Sequence, residues 1–130
     1  ASAVPVDGAE QCLNQATFVA DVTVADNTEL SPGQSFAKMW RLRNDGTCVW
    51  GPGYSLVFVE GERMSAPEFV PLQRTTLPGQ TADLAVNLEA PEEPGTYPAY
   101  FMLRAPDGRI FGIGPEAETA FWLQIVVVEE

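Results

Sequence analysis

The stretch Phe36–Trp50, FAKMWRLRNDGTCVW, decides how this chain is read. In its first half Phe36, Trp40 and Leu42 fall on one face and Met39, Arg41 and Arg43 on the other, the period of a strand half-buried against a core. Asn44-Asp45-Gly46 then breaks the strand with residues that favour turns, and the stretch closes on Cys48 and Trp50. Lys38 shares the inward parity and conflicts with it. Snorkelling, a bulge, or a sheet rim open to water would each relieve that conflict.

The neighbouring segments supply more strands to pack on that face. Upstream, residues 1–10 are small, polar and Pro-containing and read as a tail. Thr17–Val24 alternates Phe18, Ala20, Val22 and Val24 with Val19, Asp21 and Thr23, as a half-buried edge strand does. Asp26–Gly33 reads as a loop ending in a Pro32-Gly33 turn, and the same Pro-Gly-Gln pattern recurs at Pro78-Gly79-Gln80. Downstream, Tyr54–Val59 reads as a strand, followed by a charged turn at Glu60–Arg63. Phe69–Leu72 is limited to an edge by Pro67 and Pro71. Ala82–Leu88 has the clearest alternation, with Ala82, Leu84, Val86 and Leu88 inward. After a Pro-flanked loop, Thr96–Arg104 turns Tyr97, Ala99, Phe101 and Leu103 to the core, and Pro106-Asp107-Gly108 reverses the chain into Arg109–Gly112. Ala120–Val128 places Phe121, Leu123, Ile125 and Val127 inward.

Eleven glycines and eleven prolines punctuate these apolar runs, and 130 residues make one domain of ordinary size. The expected fold is all-β, an immunoglobulin-like β-sandwich of about seven strands over residues 17–128. Residues 1–16 form an N-terminal tail tethered by Cys12. No run of eighteen apolar residues exists, so no membrane-spanning segment is expected, and residues 1–10 lack the pattern of a signal peptide. Eighteen acids against seven bases give a net charge of −11, which repels phosphate backbones and makes nucleic acid a poor partner.

Cys12 and Cys48 are the two cysteines, and histidine is absent. Neither a zinc site nor a CxxC redox motif can be assembled from them. Two core thiols or one disulfide remain, and the polar lead-in around Cys12 favours the disulfide, which points to an oxidising compartment outside the cytoplasm. Without histidine or a free thiol, catalysis would fall to carboxylates, serines and tyrosines. Glu92-Glu93 reads as a solvated loop pair, and Asp26, Glu29 and Asp107 lack the spacing of a calcium loop. No catalytic residue, metal site or cofactor is expected.

Three motifs carry a family resemblance. F-x-K-x-W-x-L-x-N-x-G-x-C-x-W at Phe36–Trp50, P-G-T-Y-x-x-Y-F-x-L-R at Pro94–Arg104, and F-G-I-G…F-W-x-Q-I-V-V at Phe111–Val127 resemble the four-tryptophan (FW) domain. That domain is known from neighbour-of-breast-cancer-gene-one autophagy receptors and from secreted and surface proteins of bacteria, chloroflexi especially. Trp40, Trp50 and Trp122 match its signature tryptophans, and Phe101 stands at the remaining position, keeping aromatic volume without the indole N–H. The resemblance implies an immunoglobulin-like sandwich that binds protein. Its bacterial form typically carries a cysteine before the first strand and one in the G-x-C-x-W turn, as Cys12 and Cys48 do here.

Tyr100 and Trp122 stand opposite the core faces of their strands. Either a loop or the terminal segment covers them, or they form a partly open aromatic surface with Met102 and Val126 and with Arg104 at the rim, a composition enriched at protein interfaces. The expected function is a non-catalytic, extracellular protein-interaction or spacer module of an exported bacterial protein. The alternative is a carbohydrate-binding module that stacks exposed rings on a polysaccharide.

Overall fold

A computed structural model describes residues 12–129. These contain nine strands and no helix: β1 (Ala16–Asp21), β2 (Thr28–Leu30), β3 (Ser35–Asn44), β4 (Ser55–Gly61), β5 (Val70–Pro71), β6 (Thr81–Glu89), β7 (Gly95–Arg104), β8 (Ile110–Phe111) and β9 (Phe121–Val127). They form two sheets, one in the order β1-β3-β6 and one in the order β2-β9-β7-β4-β5, with β8 paired to β7. This is the immunoglobulin-like sandwich that the alternation predicts. The strands beyond seven are short, and β2 corrects a segment read as loop. Thr28–Leu30 runs parallel to Ile125–Val127 and closes the edge of β9.

β3 lies in the middle of the first sheet, between β1 and β6, and its even positions from Lys38 to Asn44 are buried. Trp40 is fully buried, with the rings of Phe101 and Phe121 at 5.1 and 5.0 Å from it, tilted and edge-on. Across the sandwich its indole N–H donates to the Trp122 carbonyl at 3.0 Å. A second aromatic group, Trp50, Tyr54 and Phe111, fills the core elsewhere, so Trp50 is fully buried as well.

β1 is shorter than its alternation suggests. A bulge between Phe18 and Ala20 shifts its register on β3. Val22 and Thr23 then both donate to the Met39 carbonyl, and Val24 turns the chain away with φ 55°. Phe18 and Val22 are consequently exposed rather than half-buried.

Lys38 neither snorkels nor lies at an open rim, and the bulge beside it falls in the neighbouring strand β1 rather than in β3. It is fully buried, and β3 has no bulge in its pairing with β6. Its Nζ donates to Asp21 Oδ1 at 2.8 Å and to the carbonyls of Thr23 and Val24 at 2.9 and 2.8 Å, so each of its three protons meets an oxygen. The bulged end of β1 supplies that cage.

The turn after β3 is held from within. The buried Asn44 side chain donates to the carbonyls of Cys48 and Thr76 at 2.9 and 3.0 Å and accepts from Gly46 N–H at 3.1 Å. Leu13 crosses this turn, its carbonyl accepting from Thr47 and Cys48. A Cβ at Gly46 would lie 2.1 Å from that carbonyl, which explains the glycine. Cys12 and Cys48 are bonded, with Cα atoms 5.0 Å apart, so the lead-in is tied to the turn as expected. Of the tail read over residues 1–16, residues 1–11 lie outside the described residues.

Candidate interaction surface

Strand alternation gives each sheet one outward face, and the two differ in chemistry. On the first sheet Arg41 makes a bidentate pair with Asp83 at 2.7 and 3.1 Å, and Arg43 does the same with Asp45. Hydrogen bonds from the guanidinium of Arg41 hold the Asp83 carboxyl below its ordinary range. Asp45 is lowered by Arg43 and then by the Thr17 hydroxyl. That face is a polar lattice with its charges already matched.

The outward face of the second sheet is aromatic. β7 and β9 pair so that Tyr100 stands directly opposite Trp122, with ring centroids 6.3 Å apart and planes tilted by 35°. Trp122 keeps 41% of its surface, and Tyr100 is half-buried. Met102 follows along β7, its methyl group packed so near Gly112 that a Cβ there would meet it at 2.8 Å. Arg104 ends the row with its guanidinium 4.9 Å from the exposed ring of Phe69, a cation–π arrangement. Among the described residues no carboxylate forms an ion pair with Arg104.

Tyr100, Met102, Arg104 and Trp122 thus share one sheet face, and no described loop covers Trp122 completely. Val126 is set apart from them. It shares the face but pairs with Thr96 and Glu29, and the Pro98–Gln124 row lies between it and Trp122. Gln124 bonds Asn27 at 2.7 Å and makes that row polar.

Two contributors escaped the sequence reading. Phe69 lay in a segment judged only as a possible edge strand. Phe18 was read as half-buried, whereas the bulge beside it leaves it at the border of a 210 Å³ notch shared with Trp122, Ile113, Asp21 and Asp26. The alternation of apolar residues along β1 carries no sign of that bulge. Among the described residues no cluster of three histidine, cysteine, aspartate or glutamate side chains could hold a metal ion.

Comparison with known proteins identifies the scaffold. Residues 23–127 match the family model described as the Ig-like domain from next to BRCA1 gene. The chain belongs to this family. Protein JOKA2 of Solanum tuberosum is 40% identical over 98 residues, or 73% of this chain, and the NBR1 homolog of Arabidopsis thaliana is 38% identical over an equal stretch. The chain spans only 11% and 14% of the lengths of these curated relatives. Among solved structures, the CARDB domain of PF1109 from Pyrococcus furiosus superposes with a TM-score of 0.54 over 89% of this chain and 98% of that one. At 9% identity that likeness concerns the fold alone. In this next-to-BRCA1 Ig-like domain the aromatics singled out by motif divide into two groups. Trp40, Trp50 and Phe101 are core, and Trp122 alone among them reaches the surface.

Proposed function

We propose that this domain is a non-catalytic protein-interaction or spacer module, working outside the cytoplasm as one part of an exported bacterial protein. The observation that carries the reading is the Tyr100–Trp122 pair, open on a face where Met102 and Arg104, stacked on Phe69, continue the row. Aromatic, Met and Arg side chains are the ones enriched where proteins bind one another. Membership of an Ig-like family whose relatives include NBR1 proteins supports binding over chemistry. The Cys12–Cys48 bond supports an oxidising compartment, where such a cross-link persists.

Carbohydrate binding is the competing use of the same rings. A sugar face stacks best on rings lying in one plane, and the 35° tilt between Tyr100 and Trp122 favours an irregular protein surface instead. The deciding experiment compares wild type with Tyr100→Ser/Trp122→Ser in capture from the native exported protein fraction and on a glycan array. Loss of protein capture with an unchanged melting temperature supports the reading. Glycan retention without protein capture replaces it with the sugar-binding one. Unfolding of the double variant would make the rings structural and move the site elsewhere.

A further inference from the structure

An open sheet edge is a row of unpaired backbone donors and acceptors, and folded proteins generally blunt such edges. Among the described residues the two strand orders end in four, β8 lying off them as a two-residue strand on β7. β2 is three residues long, and β5 is two residues long and contains Pro71. β1 is bulged, and Ala16 is bridged in parallel by Ile113. The fourth edge, β6, has none of these devices. It runs nine residues from Thr81 to Glu89 without proline, glycine or lysine, and its register on β3 does not shift from Arg43↔Thr81 to Ser35↔Glu89.

The direction of its free groups follows from the bonds at its two ends. Asn44 N–H donates to Gln80, and Ala90 N–H donates to Gln34, so the even positions face β3. The odd positions Thr81, Asp83, Ala85 and Asn87 turn their amides and carbonyls outward. Glu89, the next in that series, donates outward to the Met64 carbonyl at 2.9 Å, which shows that these amides accept a partner from outside the sheet. Beside the Thr81–Leu84 half of the edge lies a groove of about 1080 Å³ with Leu72, Gln73 and Arg74 along it.

We propose that β6 accepts an extended segment of a partner protein as a further strand of the β1-β3-β6 sheet, the segment alternating aliphatic residues with lysine or arginine. Strand addition of this kind takes its affinity from backbone bonds and its selectivity from alternate side chains. Inward-pointing aliphatic groups enter the groove beside Leu72 and Leu84. Outward-pointing cations meet a chain of net charge −11 that carries Glu89 on the same strand, Asp83 being already held by Arg41. The same charge opposes pairing of β6 with a second copy. This surface is separate from the aromatic face, so each can fail alone.

The probe is a labelled ten-residue peptide of alternating valine and lysine, titrated in near-physiological salt. The variant is Ala85→Pro, which removes an outward N–H without costing a bond to β3 and leaves net charge unchanged. Binding that falls at least tenfold in Ala85→Pro, with slowed exchange of the Asp83, Ala85 and Asn87 amides in the wild-type complex, supports the proposal. Equal binding by both proteins, or unchanged exchange at those amides, overturns it. If Ala85→Pro does not fold, the same peptide N-methylated at alternate residues serves as the control, and undiminished binding of that peptide overturns the proposal equally. A dimer that Ala85→Pro dissociates would give the edge to a second copy, and amides deprotected by removal of residues 1–11 would give it to that segment. Either result displaces the partner strand.

Discussion

The indole N–H of Trp40 in β3 donates to the backbone carbonyl of Trp122 in β9 at 3.0 Å. One buried bond thereby joins the two sheets, and the residue it holds turns its own ring to the open face. Trp40→Phe should keep most of the packing but leave that carbonyl unpaired, costing about 1–3 kcal/mol. Trp40→Ala should cost about 3–5 kcal/mol. Urea unfolding of both variants checks the order, and a Trp40→Phe variant as stable as wild type would mean that the bond contributes nothing beyond ring packing.

Lys38→Met retains the aliphatic stem and removes the three donors that hold Asp21, Thr23 and Val24. The expected loss is about 3 kcal/mol, since breaking a buried pair strands its partners. Lys38→Arg should not restore it, because a planar guanidinium cannot reach three oxygens set for a compact ammonium. Denaturation midpoints of the two variants are the measurement.

Reduction of the Cys12–Cys48 bond opens a loop with a sequence separation of 36 residues. The chain-entropy model values such a closure at about 4 kcal/mol. Unfolding curves with and without reductant should differ by that order, and thiol titration of the denatured, unreduced protein should find none free. Two titratable thiols would contradict the bond.

Acid and alkali should each weaken the fold through identifiable groups. Asp45 and Asp83 titrate below their ordinary 3.8 in the folded chain. The unfolded chain therefore binds those protons more tightly, and their contribution is complete above about pH 4 and lost as pH falls. Both pairs are exposed, so the effect is small and salt-sensitive. Arg41→Gln should raise the Asp83 midpoint, read by NMR titration. Tyr54 behaves oppositely. Burial, and then the charge of Asp107, push its phenol above 10.0, so the folded state keeps that proton longer and stability declines as pH rises beyond about 10.

Much of this was legible in the chain because inward faces follow a strict period of two. Trp40, Leu84, Phe101 and Ile125 all fall where alternation puts them. The cage around Lys38 was illegible, since it depends on a bulge in β1 that backbone pairing creates and side-chain order does not announce. Likewise β2 is too short to show a period, and it exists because β9 offers it an edge. At the aromatic surface, parity found Tyr100, Met102 and Trp122. It also grouped Val126 with them, because parity assigns a face but not a neighbourhood.

The cross-link has a mechanical meaning as well. Cys12 is fastened to the turn beyond β3, so tension entering from the N-terminal side passes into Cys48 and leaves β1 unloaded. Of the contour released when the sandwich ruptures, the 36-residue stretch between the two sulfurs stays hidden, about 120 Å of fully drawn chain. In a pulling experiment the domain should extend by that much more once reductant is added. Its span under load is therefore set by redox state.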